Sequence, residues 1–169
     1  MKKNDFIQSK IFNFNNSDDR TKITHLISFL RFKEQKIIFT NGCFDIMHLG
    51  HIDYLSKAAD LGNHLIIGLN SDTSIKKIKG NNRPILPEQT RAAIIASLFF
   101  VQTVILFDNE TPFELINFIQ PNVLVKGSDY KPDEIVGNDI VSKNGGEIVT
   151  IDFLDGHSTT SIIHKIKTS

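Results

Sequence analysis

Residues 37–51 read IIFTNGCFDIMHLGH, and this stretch indicates the kind of fold that the chain adopts. Its apolar beginning is typical of a short buried strand, which we predict over 36–40. A loop containing Gly42 follows, and then residues 49–62 show the apolar spacing of a helix, with Gly62 placed to end it. A strand, a loop and a helix start in this order present backbone N–H groups and a positive dipole end to an anion.

The same alternation continues on both sides of this stretch. Short apolar strands alternating with amphipathic helices predict an α/β fold with a three-layer, doubly wound, Rossmann-like parallel sheet. Ligands bind such sheets beyond the carboxyl ends of the strands. Further strands are predicted at 64–69, 103–107, 122–127 and 146–151, and helices at 17–33 (capped by Ser17), 87–100 (opened by Pro87), 111–120 (capped by Thr111) and 158–167 (capped by Ser158), with a short helix or turn at 73–79.

Two regions are distinguished along the chain. Residues 1–16 are polar and rich in asparagine, with scattered apolar side chains. We expect them to form a poorly ordered tail, or a segment lying on the domain or on a partner subunit. Residues 17–169 are long enough for one domain with a core of its own, beginning with an N-terminal helix.

The composition excludes several classes of protein. Hydrophobic residues make up 40% of the 169, so the chain is globular. Lysine plus arginine and aspartate plus glutamate number 19 each, and this balance gives no overall field that favours nucleic acid or an anionic membrane. The single cysteine, Cys43, excludes an internal disulfide. The beginning lacks an apolar signal segment and no apolar run approaches the roughly 18 residues of a membrane span, so we expect a cytoplasmic protein.

His48 and His51 stand three residues apart, on either side of Gly50. Three interpretations compete: a metal site, a phosphate site, or two structural histidines. The H-x-x-H spacing lacks the glutamate and the i, i+4 separation of the common zinc helix, although Asp45 is near enough to keep a metal under consideration. At i and i+3 the two imidazoles lie on one helix face, where each can donate a hydrogen bond to phosphate.

Five motifs carry a resemblance to a known family. TNGCFDIMHLGH resembles the T-x-G-x-F-D-x-x-H-x-G-H signature of the nucleotidylyltransferase superfamily. NSDTSIKKIKG, RPILPEQTR, VKGSDY and DGHSTTSIIHKI are similar, in order and spacing, to the sugar-phosphate branch of that superfamily. Within that branch the chain resembles most the heptose 1-phosphate adenylyltransferases.

The resemblance implies an activity and its partners. The expected enzyme is a stand-alone adenylyltransferase that joins ATP and D-glycero-β-D-manno-heptose 1-phosphate to give ADP-heptose and pyrophosphate, for the inner core of lipopolysaccharide. It implies Mg²⁺ held mainly by the substrate phosphates and no metal site built from side chains. It also implies a homodimer, a separate heptose kinase and phosphatase in the pathway, and no nucleic-acid or membrane partner.

The resemblance also assigns roles to residues. His48, His51 and Lys79 are expected to be catalytic, and Lys76, Arg83 and Arg91 to bind the acceptor phosphate, with the choice among Lys76, Lys77 and Lys79 left open. The residues expected to bind nucleotide are Thr40, Asn41, Gly42, Cys43, Phe44, Asp45, Gly50, Lys126, Gly127, Asp129, Ser158, Thr159 and Thr160.

Other hypotheses stay open at this point. Relatives that act on glycerol phosphate carry an arginine where this chain has Phe153, which favours the heptose branch. A cytidylyltransferase for another phosphate ester, a non-catalytic nucleotide-binding domain and a metal-dependent hydrolase are the alternatives. The sequence leaves the base preference open. It also leaves open whether His157 lies next to the ligand or has no role in the site, and whether Asp72 binds ligand or caps the helix that it precedes.

Overall fold

A computed structural model describes residues 2–128, 135–154 and 156–168 of the chain. Helices and strands alternate through most of its length, as predicted. The elements are α1 (Lys3–Gln8), β1 (Ile11–Asn13), α2 (Ser17–Phe32), β2 (Ile37–Gly42), α3 (Leu49–Ala59), β3 (His64–Asn70), α4 (Asp72–Lys79), α5 (Glu88–Ala96), β4 (Thr103–Phe107), α6 (Phe113–Ile119), β5 (Val123–Gly127), α7 (Asn138–Lys143), β6 (Glu147–Ile151) and α8 (Thr159–Thr168).

The strands form one parallel sheet of six strands in the order β1-β4-β3-β2-β5-β6. The chain builds outward from β2 through β3 and β4, and then returns to the other side of β2 with β5 and β6. The direction of winding therefore reverses between β2 and β5, and a ligand crevice is expected beyond the carboxyl ends of these two strands. The predicted doubly wound parallel sheet is confirmed.

Apolar side chains cover both faces of the sheet and complete three layers. On one face, α3 and α5 pack against the strands through side chains such as Leu55 and Ile95. On the other face, α2, α6 and α7 pack through side chains such as Ile27, Ile116 and Val141. Because both faces are covered, the central strands are almost continuously apolar.

The beginning of the chain corrects our prediction of a tail over 1–16. α1 and β1 lie on the domain, which was the other possibility for this segment, and β1 adds an edge strand by pairing with β4, with Ile11 opposite Val104. Lys10 fixes the segment, because its Nζ donates to the carbonyl oxygens of Ala96 at 3.0 Å and Val101 at 2.8 Å. The strand escaped prediction because it has only three residues and no fully buried one.

Two caps differ from their predicted positions. Asn16 rather than Ser17 caps α2, with its side chain accepting from the Asp19 amide at 3.0 Å. Pro112 rather than Thr111 precedes α6. Among the described residues, no helix combines the length and the apolar composition that crossing a bilayer requires.

Candidate active site

A cleft with two connected lobes lies beyond the carboxyl ends of the strands. The inner lobe, about 450 Å³, is bordered by the ends of β2, β3 and β5. The outer lobe, about 530 Å³, is bordered by the starts of α3 and α8. The residues common to both lobes are His51, Lys79, Arg83, Phe153 and Thr159.

The two histidines of the motif stack where the lobes meet. His48 is the residue that precedes α3, and its ring lies 3.8 Å from that of His51 with an angle of 21° between the planes. The Nδ1 atoms of both rings are buried and have no hydrogen-bond partner among the described residues. A buried nitrogen without an acceptor is better left unprotonated, so we assign the proton of each neutral ring to Nε2.

Burial and neighbouring charges keep both rings neutral at neutral pH. Burial, followed by electrostatic repulsion from His48 and Lys79, lowers the pKa of His51 to about 4. Burial, followed by the charge of His157, also lowers the pKa of His48. The pair therefore offers N–H donors to an anion without carrying charge in the free protein.

Phe44 and two glycines hold the histidine pair in place. Phe44 adopts φ of 44°, in the left-handed region that a bulky residue rarely occupies, and its ring meets the His51 ring edge-on at 5.3 Å. A Cβ on Gly42 would lie 3.0 Å from the Phe44 ring, and a Cβ on Gly50 would lie 3.1 Å from Nδ1 of His48. Both glycines are thus needed for close approach of these rings.

Arg91 does not face the cleft, in contrast to our prediction that it binds the acceptor phosphate. It is fully buried. Its guanidinium donates to the carbonyl oxygens of Leu86 (3.0 Å), Cys43 (2.7 Å) and Asn70 (2.8 Å), and pairs with the Asp72 carboxylate at 2.7 Å. Arg91 therefore ties the ends of β2 and β3 to the start of α5. The ion pair with Arg91 also gives the Asp72 carboxylate a structural role.

Two residues predicted to bind nucleotide are engaged by the protein itself: Asp45, which also lines the inner lobe, and Thr40, which lines neither lobe. The Asp45 carboxylate is 2% exposed, accepts from the amides of Ile85 and Leu86 at 2.9 Å, and pairs with Arg83 Nε at 2.8 Å. The Thr40 hydroxyl is buried and lies 2.7 Å from the Tyr54 hydroxyl.

Three cationic side chains line the inner lobe. Lys79 and Arg83 border both lobes, and Lys126 borders the inner lobe, where its Nζ contacts Oδ1 of Asn41. Lys76 is exposed and borders neither lobe. Of the two lysines predicted on α4, the structure therefore brings only Lys79 to the cleft.

The start of α8 supplies hydroxyl groups to the outer lobe. Ser158, Thr159 and Thr160 line it together with His157 and Gly50. Ser158 caps the helix as predicted, because its Oγ accepts from the Ser161 amide at 3.1 Å. The lobe thus lies between two helix starts, α3 and α8, whose N–H groups favour an anion.

The sequence comparison decides the family. The sequence model described as cytidylyltransferase-like matches residues 39–165, which include every part of the cleft described above. The chain belongs to the cytidylyltransferase-like family. The predicted membership of the nucleotidylyltransferases is thereby confirmed.

Curated relatives of this cytidylyltransferase-like chain are longer proteins. The bifunctional protein HldE of Campylobacter jejuni subsp. doylei is 52% identical over 161 residues, which cover 94% of this chain and 34% of that protein. HldE of Syntrophotalea carbinolica is 47% identical over 147 residues, which cover 87% of this chain and 30% of that protein. The chain therefore spans about a third of the length of these relatives.

Solved structures share the fold. A lipopolysaccharide core biosynthesis protein from Thermoplasma volcanium superposes with a TM-score of 0.58 at 29% identity, covering 71% of this chain and 97% of that one. Pantoate-beta-alanine ligase from Francisella tularensis gives the same TM-score at 16% identity, with 93% of this chain and 77% of that one covered, and shows likeness of fold alone.

The cleft is also lined by residues to which the sequence analysis assigned no binding or catalytic role. Glu110 and Thr111 enter the inner lobe from the loop after β4, and Asn70 from the end of β3. Their position after the carboxyl ends of strands was the signal available, because those ends meet at one edge of a parallel sheet. Of the residues predicted to bind nucleotide, Cys43, Phe44 and Gly127 border the inner lobe. Asp129 lies outside the described residues.

No group of three or more histidine, cysteine, aspartate or glutamate side chains in the described part of the chain is arranged to hold a metal ion. Cys43 is a free cysteine, and burial raises the pKa of its thiol. The polar groups that border the cleft are therefore mostly donors: imidazoles, ammonium groups, hydroxyls and helix-start amides. This arrangement suits a substrate with several phosphates.

Proposed function

We propose that this protein transfers AMP from ATP to D-glycero-β-D-manno-heptose 1-phosphate, giving ADP-heptose and pyrophosphate for the inner core of lipopolysaccharide. The observation that carries the proposal is the stacked pair of His48 and His51 between two helix starts, with Lys79 beside it. The high identity to HldE proteins and the likeness to a lipopolysaccharide core biosynthesis protein support heptose as the acceptor.

The reaction needs no nucleophile from the protein. An oxygen of the sugar phosphate attacks the α-phosphorus of ATP, a new P–O bond forms, and the bond to the bridging oxygen of pyrophosphate breaks. Both substrates are anions, so catalysis consists of aligning them and neutralising the charge that builds on the α-phosphate and the leaving group.

The histidines would act on the α-phosphate. Their Nε2–H groups donate to its oxygens and to the bridging oxygen, where charge increases in the transition state. Neutral rings do this without the energetic cost of burying a charge in the free protein. The starts of α3 and α8, with the hydroxyls of Ser158, Thr159 and Thr160, would hold the β- and γ-phosphates.

The inner lobe would receive the rest of both substrates. One side, after β5 and β6, combines Gly127 with the apolar side chains of Ile135, Val136 and Phe153, and suits a flat nucleobase. The other side, after β3 and β4, is polar. Lys79 and Arg83, between the lobes, would neutralise the acceptor phosphate and bring it to the α-phosphorus.

Mg²⁺ would enter this cleft as an ion carried by the substrate. Since no described set of side chains would cage it, the triphosphate oxygens and water would be its ligands, with the ion neutralising phosphate charge. We also propose that the protein acts as a homodimer, and that a separate kinase and phosphatase supply the sugar 1-phosphate.

The test is pyrophosphate release with Mg²⁺, with ATP, CTP and GTP each paired with heptose 1-phosphate and with glycerol 3-phosphate. Turnover restricted to ATP with heptose 1-phosphate, and lost in His51→Ala, is the expected result. Tight ATP binding without turnover for any pair would instead indicate a non-catalytic nucleotide-binding domain.

A second candidate is a cytidylyltransferase for another phosphate ester, which the description of the matching family favours. The chemistry and the roles of the histidines would be the same, and only the base and acceptor sites would differ. Release of pyrophosphate from CTP but not from ATP in the same assay would favour this candidate over ours.

A further inference from the structure

Glu110 is a carboxylate in a cleft otherwise suited to anions. It lies in the loop after β4, is exposed, and lines the inner lobe. Its carboxylate makes no ion pair or hydrogen bond with the part of the chain that the structure describes. The other acidic residue lining this lobe is Asp45, whose oxygens are buried and engaged by Arg83, Ile85 and Leu86.

The two residues that precede Glu110 in its loop are held in place by hydrogen bonds. The carbonyl oxygen of Asn109 accepts from Ser74 Oγ at 2.8 Å, and Ser74 Oγ in turn accepts from Asn70 Nδ2 at 2.9 Å. On the preceding residue, the Asp108 carboxylate accepts from the Asn15 side-chain amide. These contacts fix the backbone next to Glu110, as a binding residue requires.

The charge of Glu110 is unfavourable for phosphate. A carboxylate in this cleft repels every phosphate that enters it. An acceptor-only side chain contributes to binding when the ligand presents donors, and sugar hydroxyls are such donors. Two hydroxyls on adjacent carbons can bond to the two oxygens of one carboxylate.

The position of Glu110 in the sheet indicates that it would contact the sugar phosphate rather than the nucleobase. Strands in a sheet are spaced by about 4.8 Å, so β4 lies about 10 Å from β2, on the side opposite β5. The side after β5 and β6 carries the apolar side chains of Ile135, Val136 and Phe153 besides Lys126, and suits a base. Glu110, Thr111 and Asn70 form the opposite, polar side. A sugar whose phosphate reaches Lys79 would place its hydroxyls there.

We propose that Glu110 recognises hydroxyl groups of the acceptor sugar and makes the site specific for polyhydroxylated sugar phosphates. This inference rests on the proposed function, since it takes the sugar phosphate as the ligand of the polar side. Thr111, next in the chain and lining the same lobe, adds a hydroxyl that can donate or accept.

The test compares how the Glu110 substitution changes the affinity for heptose 1-phosphate and the affinity for inorganic phosphate. Calorimetric titration of the wild type, Glu110→Gln and Glu114→Gln with heptose 1-phosphate and with inorganic phosphate measures six affinities. Glu110→Gln is expected to weaken heptose 1-phosphate at least tenfold while inorganic phosphate binds equally or more tightly, because a repelling charge has gone. Glu114, exposed on α6 and outside the cleft lining, is the matched control, with both affinities within twofold of the wild type.

Three results would overturn the inference: heptose 1-phosphate affinity within twofold of the wild type in Glu110→Gln, equal weakening of both ligands, or no binding of heptose 1-phosphate to the wild type. Binding needs no turnover, so this inference and the proposed function can fail separately. Glu110-dependent binding without pyrophosphate release would overturn only the function, and turnover unaffected by Glu110→Gln would overturn only the inference.

Discussion

Two helix starts face the outer lobe of the cleft, and they are built differently. The start of α3 is inside the protein: Gly50 is buried, the histidine rings stack, and the Phe44 ring meets that of His51 edge-on. The start of α8 is at the surface, where Ser158 and Thr160 are exposed and the helix has no buried side chain. One start is fixed by the core, and the other by its own cap.

The difference matches the demands of the two ends of a triphosphate. In the proposed reaction, bond making would occur at the α-phosphate, where a misplacement of about 1 Å can cost 100-fold in rate. The β- and γ-phosphates would be held, and afterwards released as pyrophosphate. Elements with few buried contacts open at low free-energy cost, so a surface helix start suits binding and release.

Replacing Arg91, which holds the loop before α3, is expected to have the largest effect on stability. Arg91→Met would leave three carbonyl oxygens and the Asp72 carboxylate without their donor. Because the site is buried, we expect a loss of about 3 kcal/mol in the free energy of unfolding, measured by urea denaturation.

Arg31→Met is the matched control for this variant. Arg31 is exposed and donates to one carbonyl oxygen, that of Ile119, at 3.0 Å. Its loss should be about 1 kcal/mol or less. Equal losses in the two variants would show that the buried network does not hold the α3 side more firmly than an ordinary surface contact.

Gly50→Ala disturbs the histidine pair directly. The new Cβ would lie 3.1 Å from Nδ1 of His48 and 3.2 Å from the Cβ of His157, so the His48 ring has to shift. Alanine favours a helix, and we therefore expect stability to be kept while kcat falls about tenfold. Unchanged kcat with normal stability would contradict the close packing that we assign to this helix start.

The pH dependence of stability tests the burial of His51. Burial lowers the pKa values of His51 and His64 to about 4 in the folded protein, against an ordinary value of 6.5. Between these pH values the unfolded chain binds more protons, so stability is fully present above pH 6.5 and is lost as pH falls toward 4.

Replacing a buried histidine should flatten this dependence. Between pH 4 and 6.5, the slope of the unfolding free energy against pH reports how many more protons the unfolded chain binds than the folded one. We expect His51→Gln and His64→Gln each to lower this number by up to one. His25→Gln, which changes an exposed histidine of α2, should leave the slope as it is. Equal slopes in all three variants would mean that neither buried histidine resists protonation.

The smallest effect is expected at the α8 start. Ser158→Ala removes the cap on the Ser161 amide, worth about 1 kcal/mol to the helix. We expect KM for ATP to rise a few-fold with kcat nearly unchanged, whereas Thr168→Ala at the other end of α8 should alter neither. A large fall in kcat for Ser158→Ala would place this start among the parts that align the α-phosphate.

The sequence predicted strands β2 to β6 and missed three short elements. β2, β3, β4 and β5 are runs of apolar residues buried on both faces, and such runs are visible without a structure. The elements that were missed are short and have few or no fully buried residues. They are α1, β1 and α7.

For the cleft, the motifs identified the important positions but not the directions of side chains. His48, His51 and Lys79 border the cleft, whereas Thr40 and Arg91 turn into the protein. Asp45 lines the inner lobe and also holds the loop of Ile85 and Leu86. A spacing pattern cannot distinguish a phosphate contact from a buried carbonyl contact, because an arginine suits both. Glu110 was missed because no motif includes it.

The most direct test of nucleotidyl transfer between two substrates is ³¹P NMR of ATP, heptose 1-phosphate and Mg²⁺ mixed with the protein, with His51→Ala as the control. We predict that the heptose 1-phosphate resonance disappears as pyrophosphate and a new diphosphate ester appear in equal amounts, and that the variant loses at least 100-fold in rate. Formation of AMP and pyrophosphate with heptose 1-phosphate unchanged, or equal rates for both proteins, would contradict the role assigned to this cleft.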